Sequence, residues 1–176
     1  MPRFIGLDPS TKTGLCALDE NGKVLAAKEL TGVGVVDPKR IATLVDEVMA
    51  HIREGDIVAI EGFGFSSQQA IMLGWIGGCI RDRLYRCGIP YTEVSPSQVK
   101  KFATGKGNAK KDEMVLPIYR KWGFEHGSDN VRDAYVLAQI ARATQVVVRL
   151  TKEQAEVVQS ILNPPEKKPK RKKVAR

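Results

Sequence analysis

The chain has little cysteine, little histidine and no long apolar run. Its three cysteines, Cys16, Cys79 and Cys87, are odd in number and lack a C-x-x-C spacing. That argues against a secreted disulfide framework and against a zinc site, and it suits a reducing cytoplasm with buried thiols. Of the two histidines, His51 lies beside Arg53 in the first helical stretch and takes no catalytic role. His126 precedes the acid-bearing helix and reads first as a surface residue, second as a neighbour of a metal site. No apolar segment is long enough to span a bilayer, and the N-terminus has no signal-peptide core, so no membrane association is expected. Internal repeats are absent, and low complexity is confined to the last residues.

A hydrophobic fraction of 43% in 176 residues gives one globular domain with a substantial core, expected over 1–163. Residues 164–176 carry seven Lys or Arg against one Glu, which leaves only +2 of the total +8 for the rest. This Pro- and Lys-rich end cannot bury a core, so a disordered basic tail is expected. It serves as a solubility element or as an electrostatic arm on nucleic acid.

The informative residues are four acids. Asp8 ends the apolar run F-I-G-L-D, and Glu61 ends I-V-A-I-E. Asp129 and Asp133 stand four apart where an apolar helical period begins, so they share a helix face. Carboxylates at the ends of buried strands are costly unless paired or bound to a metal. Gathered together they call for divalent cations with a preference for oxygen ligands, Mg²⁺ or Mn²⁺.

The periodicity predicts strands at 3–8, 14–18 and 24–30, the last two joined by the hairpin signal D-E-N-G-K. A helix follows from Pro38 to about Arg53, then a central strand at 57–60. A long helix runs to about Cys87, with Gly74, Gly77 and Gly78 read as sites of close helix packing. A strand at 90–94, a helix opened by S-P-S-Q, a basic loop at 104–111 and another helix come next. The acid-bearing helix is expected from Ser128 to Val148 and a last helix near 151–162. This order gives an α/β fold with a mixed five-stranded sheet flanked by helices.

The set D-P-S-x-x-x-G, I-E and D-A-x-x-L-A, in this order and spacing over residues 3–145, resembles the RuvC-like Holliday junction resolvases of the ribonuclease H-like superfamily. The short chain and basic tail lean toward a phage or viral member. The resemblance implies a metal-dependent crossover junction endodeoxyribonuclease, with two Mg²⁺ or Mn²⁺ ions per active site and a homodimer acting on four-way branched DNA. The resemblance also implies a cytoplasmic site of action, at a bacterial nucleoid or in a phage-infected host cell. Asp8, Glu61 and Asp133 match the family's metal-binding acids. The usual fourth ligand, three residues before the last acid, is here Asn130. Asp129 is the alternative acid and is preferred because it brings charge. Lys100 and Lys111 fall where the family places basic residues near DNA, with Lys106 and Lys110 in the same basic segment. Phe63 or Phe65, after Glu61, is the candidate to stack on opened bases, while one of the two is expected to pack in the core. The apolar stretch 68–87 is a candidate dimer face, although core burial gives the same pattern.

Three other readings compete. An actin- or sugar-kinase-like nucleotide domain shares the first hairpin but needs two related domains and a second phosphate loop. A catalytically silent junction-binding protein has no reason to keep the buried acids. A nuclease for flaps, forks or other branched DNA differs only in substrate.

Overall fold

A computed structural model describes residues 2–64 and 69–164. Its strands are β1 (Phe4–Asp8), β2 (Thr13–Leu18), β3 (Val24–Leu30), β4 (Ile57–Glu61) and β5 (Tyr91–Val94). Its helices are α1 (Lys39–Ala50), α2 (Ala70–Arg86), α3 (Pro96–Thr104), α4 (Lys111–Trp122), α5 (Asp129–Ala143) and α6 (Lys152–Leu162). They build one mixed sheet in the order β3-β2-β1-β4-β5. The first three strands are antiparallel neighbours, whereas β1, β4 and β5 run parallel.

Side-chain parity divides the core in two. Ile5 and Leu7 of β1 join Val58 and Ile60 of β4 under α1 and α2. Phe4, Cys16, Leu18 and Ala59 face the other way and pack under α3, α4, α5 and α6. Gly6, Asp8 and Glu61 therefore stand on the α5 side of the sheet by their position in the strand. Because Leu7 pairs with Ile60 in a parallel register, the next residues, Asp8 and Glu61, end up side by side.

Helix α5 crosses β1 and β2 directly. A methyl group at Gly6 would collide with the backbone of Ala134, and one at Gly14 with the backbone of Asn130. Both glycines are there so that the helix can lie on the strands. Val131 and Ala134–Ala141 are buried in consequence.

The capping reading holds at α3. Ser95 accepts from the Gln98 backbone while the Gln98 side chain returns to Ser95, with Pro96 in the first turn. Two expectations change. Helix α5 stops at Ala143 rather than Val148, because the Thr144 hydroxyl donates to the Ala141 carbonyl and the following Val146–Val148 run favours helix poorly. Likewise α1 stops at Ala50 rather than near Arg53, and the Arg53 N–H turns to Asp56 instead.

The small residues of α2 and the thiols also differ from expectation. Of the three, Gly77 is tightly packed, with Arg81 and Phe63 against it, whereas among the described residues nothing lies within contact of a side chain at Gly74 or Gly78. Cys16 is buried, but Cys79 is partly buried and Cys87 is exposed. The tail beyond residue 164 lies outside the described residues.

Candidate active site

The ends of β1 and β4 and the first turns of α5 enclose a pocket of about 210 Å³. Asp8, Glu61 and Asp133 line it, together with Ser10, Lys100, Lys111 and Asn130. Each acid arrives by a different route. Asp8 and Glu61 are adjacent through strand register, and Asp133 is lowered onto them by the close seat of α5 on Gly6 and Gly14.

The electrostatics follow from that crowding. Burial, then the charges of Glu61 and Asp133, push the Asp8 carboxyl well above its usual range. Burial and the Asp133 charge push Glu61 up to about 7. Asp133 rises to about 6, chiefly through burial, although Lys111 opposes the shift. Asp8 and Glu61 also share a side-chain hydrogen bond.

Lys111 is the counter-charge. Its Nζ donates to Asp129 at 2.6 Å and lies 3.8 Å from Asp133. Partial burial works against its ammonium, but the bond to Asp129 and the charges of Asp133, Asp129 and Asp8 outweigh that and raise its pKa. The same bond, from the other side, lowers Asp129.

The predicted residues separate into groups. Asp8, Glu61, Asp133, Lys100 and Lys111 come together. Asp129 is half-exposed at the rim, paired with Lys111. Asn130 is on the pocket wall, but its amide donates to the Ser10 hydroxyl and the Lys12 carbonyl, tying α5 to the β1–β2 turn. Lys106 and Lys110 are exposed on the loop between α3 and α4 and do not line the pocket. Phe63 borders an adjoining small cavity that shares Pro9, Glu61 and Leu73 with the acid pocket. Phe65 lies outside the described residues.

Sequence reasoning gave no packing role to Gly6 or to the motif residue Gly14, and no role to Arg81. A glycine inside an apolar strand was a usable signal for close backbone approach. Arg81, whose guanidinium reaches the Glu61 carbonyl, had no local signal.

The donor set fits hard divalent cations. It offers three carboxylates, Asp8 and Asp133 buried and Glu61 partly so, whose pKa values are raised first by burial and then by neighbouring carboxylate charge, both of which a bound cation would offset. Among the described residues no three such side chains are already drawn into an ion-holding group. Asp8 and Glu61 are instead bonded to each other, and Asp133 leans toward Lys111.

Residues 4–139 match the sequence profile of the crossover junction endodeoxyribonuclease RuvC family. The chain belongs to that family. Relatives named crossover junction endodeoxyribonuclease RuvC include one from Chlorobaculum parvum, 27% identical over 148 residues, covering 76% of this chain and 78% of the relative. Another, from Burkholderia mallei, is 32% identical over 126 residues, covering 67% of this chain and 70% of its own length. A solved structure of Thermus thermophilus RuvC in complex with a Holliday junction substrate superimposes with a TM-score of 0.62 at 23% identity. It covers 78% of this chain and 91% of the other, and this likeness establishes the ribonuclease H-like fold. The RuvC match ends inside α5, so α6 lies beyond it. Among the described residues no helix is long and apolar enough to cross a membrane.

Proposed function

We propose that this chain is a structure-selective endonuclease that cuts four-way DNA junctions by metal-dependent phosphodiester hydrolysis. The observation that carries the reading is the meeting of Asp8, Glu61 and Asp133 with Lys100 and Lys111 in one pocket of a chain in the RuvC family. Asp8, Glu61 and Asp133 would hold two Mg²⁺ or Mn²⁺ ions, with Asp129 as the fourth acid once Lys111 turns from it to the substrate. When bound, such ions make a water nucleophilic near neutral pH and stabilise the leaving 3′ oxygen.

The protein groups do the rest. Lys111 and Lys100 present fixed positive charge to the scissile phosphate, where negative charge grows during attack. Lys106 and Lys110, exposed on the loop beside the pocket, hold the backbone of the same arm without reading sequence. Phe63 or Phe65 stacks on bases exposed at the junction centre, and the 38% exposure of Phe63 next to Glu61 supports this.

Paired cuts need two such sites, so a second copy is expected. The outer face of α2 supports that reading. Ile71 is 90% and Trp75 45% exposed there, and Trp75 lines a groove together with Pro38, Ile41 and Val45 of the α1 side.

The test is cleavage of end-labelled four-way junctions, forks, flaps and linear duplexes in Mg²⁺ or Mn²⁺. Paired symmetric cuts confined to four-way junctions are expected. Equal cutting of flaps and forks would replace the substrate assignment, and no cutting of any substrate would leave a junction-binding protein.

A further inference from the structure

Among the described residues, Asp56 and Arg81 are charged side chains buried outside the acid pocket, and Asp56 is paired with Arg3 at the far end of the sheet. Arg81 of α2 directs its guanidinium at the loop that leaves β4. Its Nη2 donates to the Glu61 carbonyl at 2.8 Å, its Nη1 to the Gly77 carbonyl at 3.0 Å, and its Nε to the Glu93 carboxylate at 2.6 Å. The carbon of the same guanidinium lies 4.2 Å from the centre of the Phe63 ring. Gly77, one turn earlier, leaves room for this. A side chain there would meet both Arg81 and the Phe63 ring.

A planar cation that stacks on an aromatic face while donating in its own plane fixes orientation in a way lysine cannot. The in-plane bonds hold it to the last residue of β4 and to Glu93 of β5. The stacked face then sets the plane of the Phe63 ring relative to the strand end that carries the Glu61 carboxylate.

We infer that Arg81 is a positioning residue that aims the Phe63 ring at the junction beside the acid pocket, coupling base contact to the site of cleavage. This rests on the reading of Phe63 as a base-stacking residue. Arg81 touches no reacting group; it acts through the ring.

The experiment uses the full chain in Mg²⁺ and a four-way junction carrying 2-aminopurine at the crossover, whose fluorescence rises when the base unstacks. Arg81→Lys, Phe63→Ala and the double variant are compared on this junction and on one with unpaired bases already at the crossover. Arg81→Lys should lose the fluorescence rise and slow cleavage of the paired junction by roughly 10–100-fold, the scale of a mispositioned contact. Most of that loss should be recovered on the unpaired junction, and the double variant should be no slower than Phe63→Ala alone.

A normal fluorescence rise and normal cutting by Arg81→Lys, with Phe63→Ala impaired, would overturn the role of Arg81 alone. Normal behaviour of Phe63→Ala would remove the base-contact reading and this inference with it. A loss in Arg81→Lys that persists undiminished on the unpaired junction would also overturn the inference, because Arg81 would then serve only the strand. Should Arg81→Lys fail to fold, Glu93→Gln reads the same device from its solvent side. Glu93 is 51% exposed, and losing its charge loosens the guanidinium without opening a buried hole. It should give a smaller fluorescence rise, and a full rise would overturn the inference.

Discussion

Gly6 of β1 lies against the backbone of Ala134 so closely that even a methyl group has no room. Ala134 follows Asp133, and Gly6 precedes Asp8 by two residues on the same sheet face. The contact between two residues without chemistry of their own therefore sets the separation of two carboxylates that have it.

Gly6→Ala should push α5 off the sheet. Overpacking of this kind costs about 1–3 kcal/mol, read as a lower midpoint in urea. Cleavage should fall further than stability alone explains, because Asp133 moves with the helix. A variant that folds with wild-type stability would show that the helix seat is adjustable.

Asp8→Asn, Glu61→Gln and Asp133→Asn should each abolish cleavage and leave junction binding largely intact. Gel-shift and cleavage assays on the same preparation check this. Near-wild-type cutting by any one of them in Mg²⁺ would remove that residue from the metal set.

Asp129 and Asn130 should separate by readout. Asp129 is half-exposed, so Asp129→Asn should alter stability by no more than about 0.5 kcal/mol while reducing cleavage. Asn130→Ala breaks the bonds to Ser10 and Lys12 and should cost about 1 kcal/mol with a smaller effect on cleavage. The reverse pattern would make Asn130 the ligand.

The metal-free protein should lose stability as pH rises. Glu61 titrates near 7 and Asp133 near 6 in the folded chain, above their ordinary values of 4.5 and 3.8. Between those limits the folded state holds more protons than the unfolded one, so stability present at low pH drains away as pH climbs through about 7. In EDTA the melting temperature should drop by on the order of 5 °C from pH 5.5 to 8, and saturating Mg²⁺ at pH 8 should restore it. Asp8→Asn should flatten the profile by removing one charge from the cluster. A pH-independent melting temperature in EDTA would contradict this charge balance.

Deleting residues 164–176 should weaken DNA binding and make its salt dependence shallower, by about 0.9 in log–log slope for each phosphate that the tail no longer neutralises. Helix α6, the last described element, is anchored on α3. Gln154 bonds the Phe102 carbonyl, Lys101 pairs with Glu156, and Gln98 bonds Ser160, so α6 runs back along α3. Cutting at saturating protein should persist, and an unchanged slope would reduce the tail to a solubility element.

Local signals were sufficient for the order and type of the elements and for picking out three acids that meet in one pocket. Apolar runs of β-branched residues marked β1 and β4, the S-P-S-Q box marked α3, and Asp8, Glu61 and Asp133 stood out as charges where burial makes charge costly. The acid helix was overextended because the Thr144 hydroxyl competes for helical carbonyls, a contest that periodicity does not register. What tertiary structure decided was partnership across distance. Lys111 meets Asp129 through the packing of α4 beside α5, Asn130 meets Ser10 across 120 positions, and Arg81 meets Glu61 and Phe63 only because α2 folds back over β4. Periodicity reports which side of an element is buried, but not which neighbour buries it, and the geometry of this site depends on the neighbours.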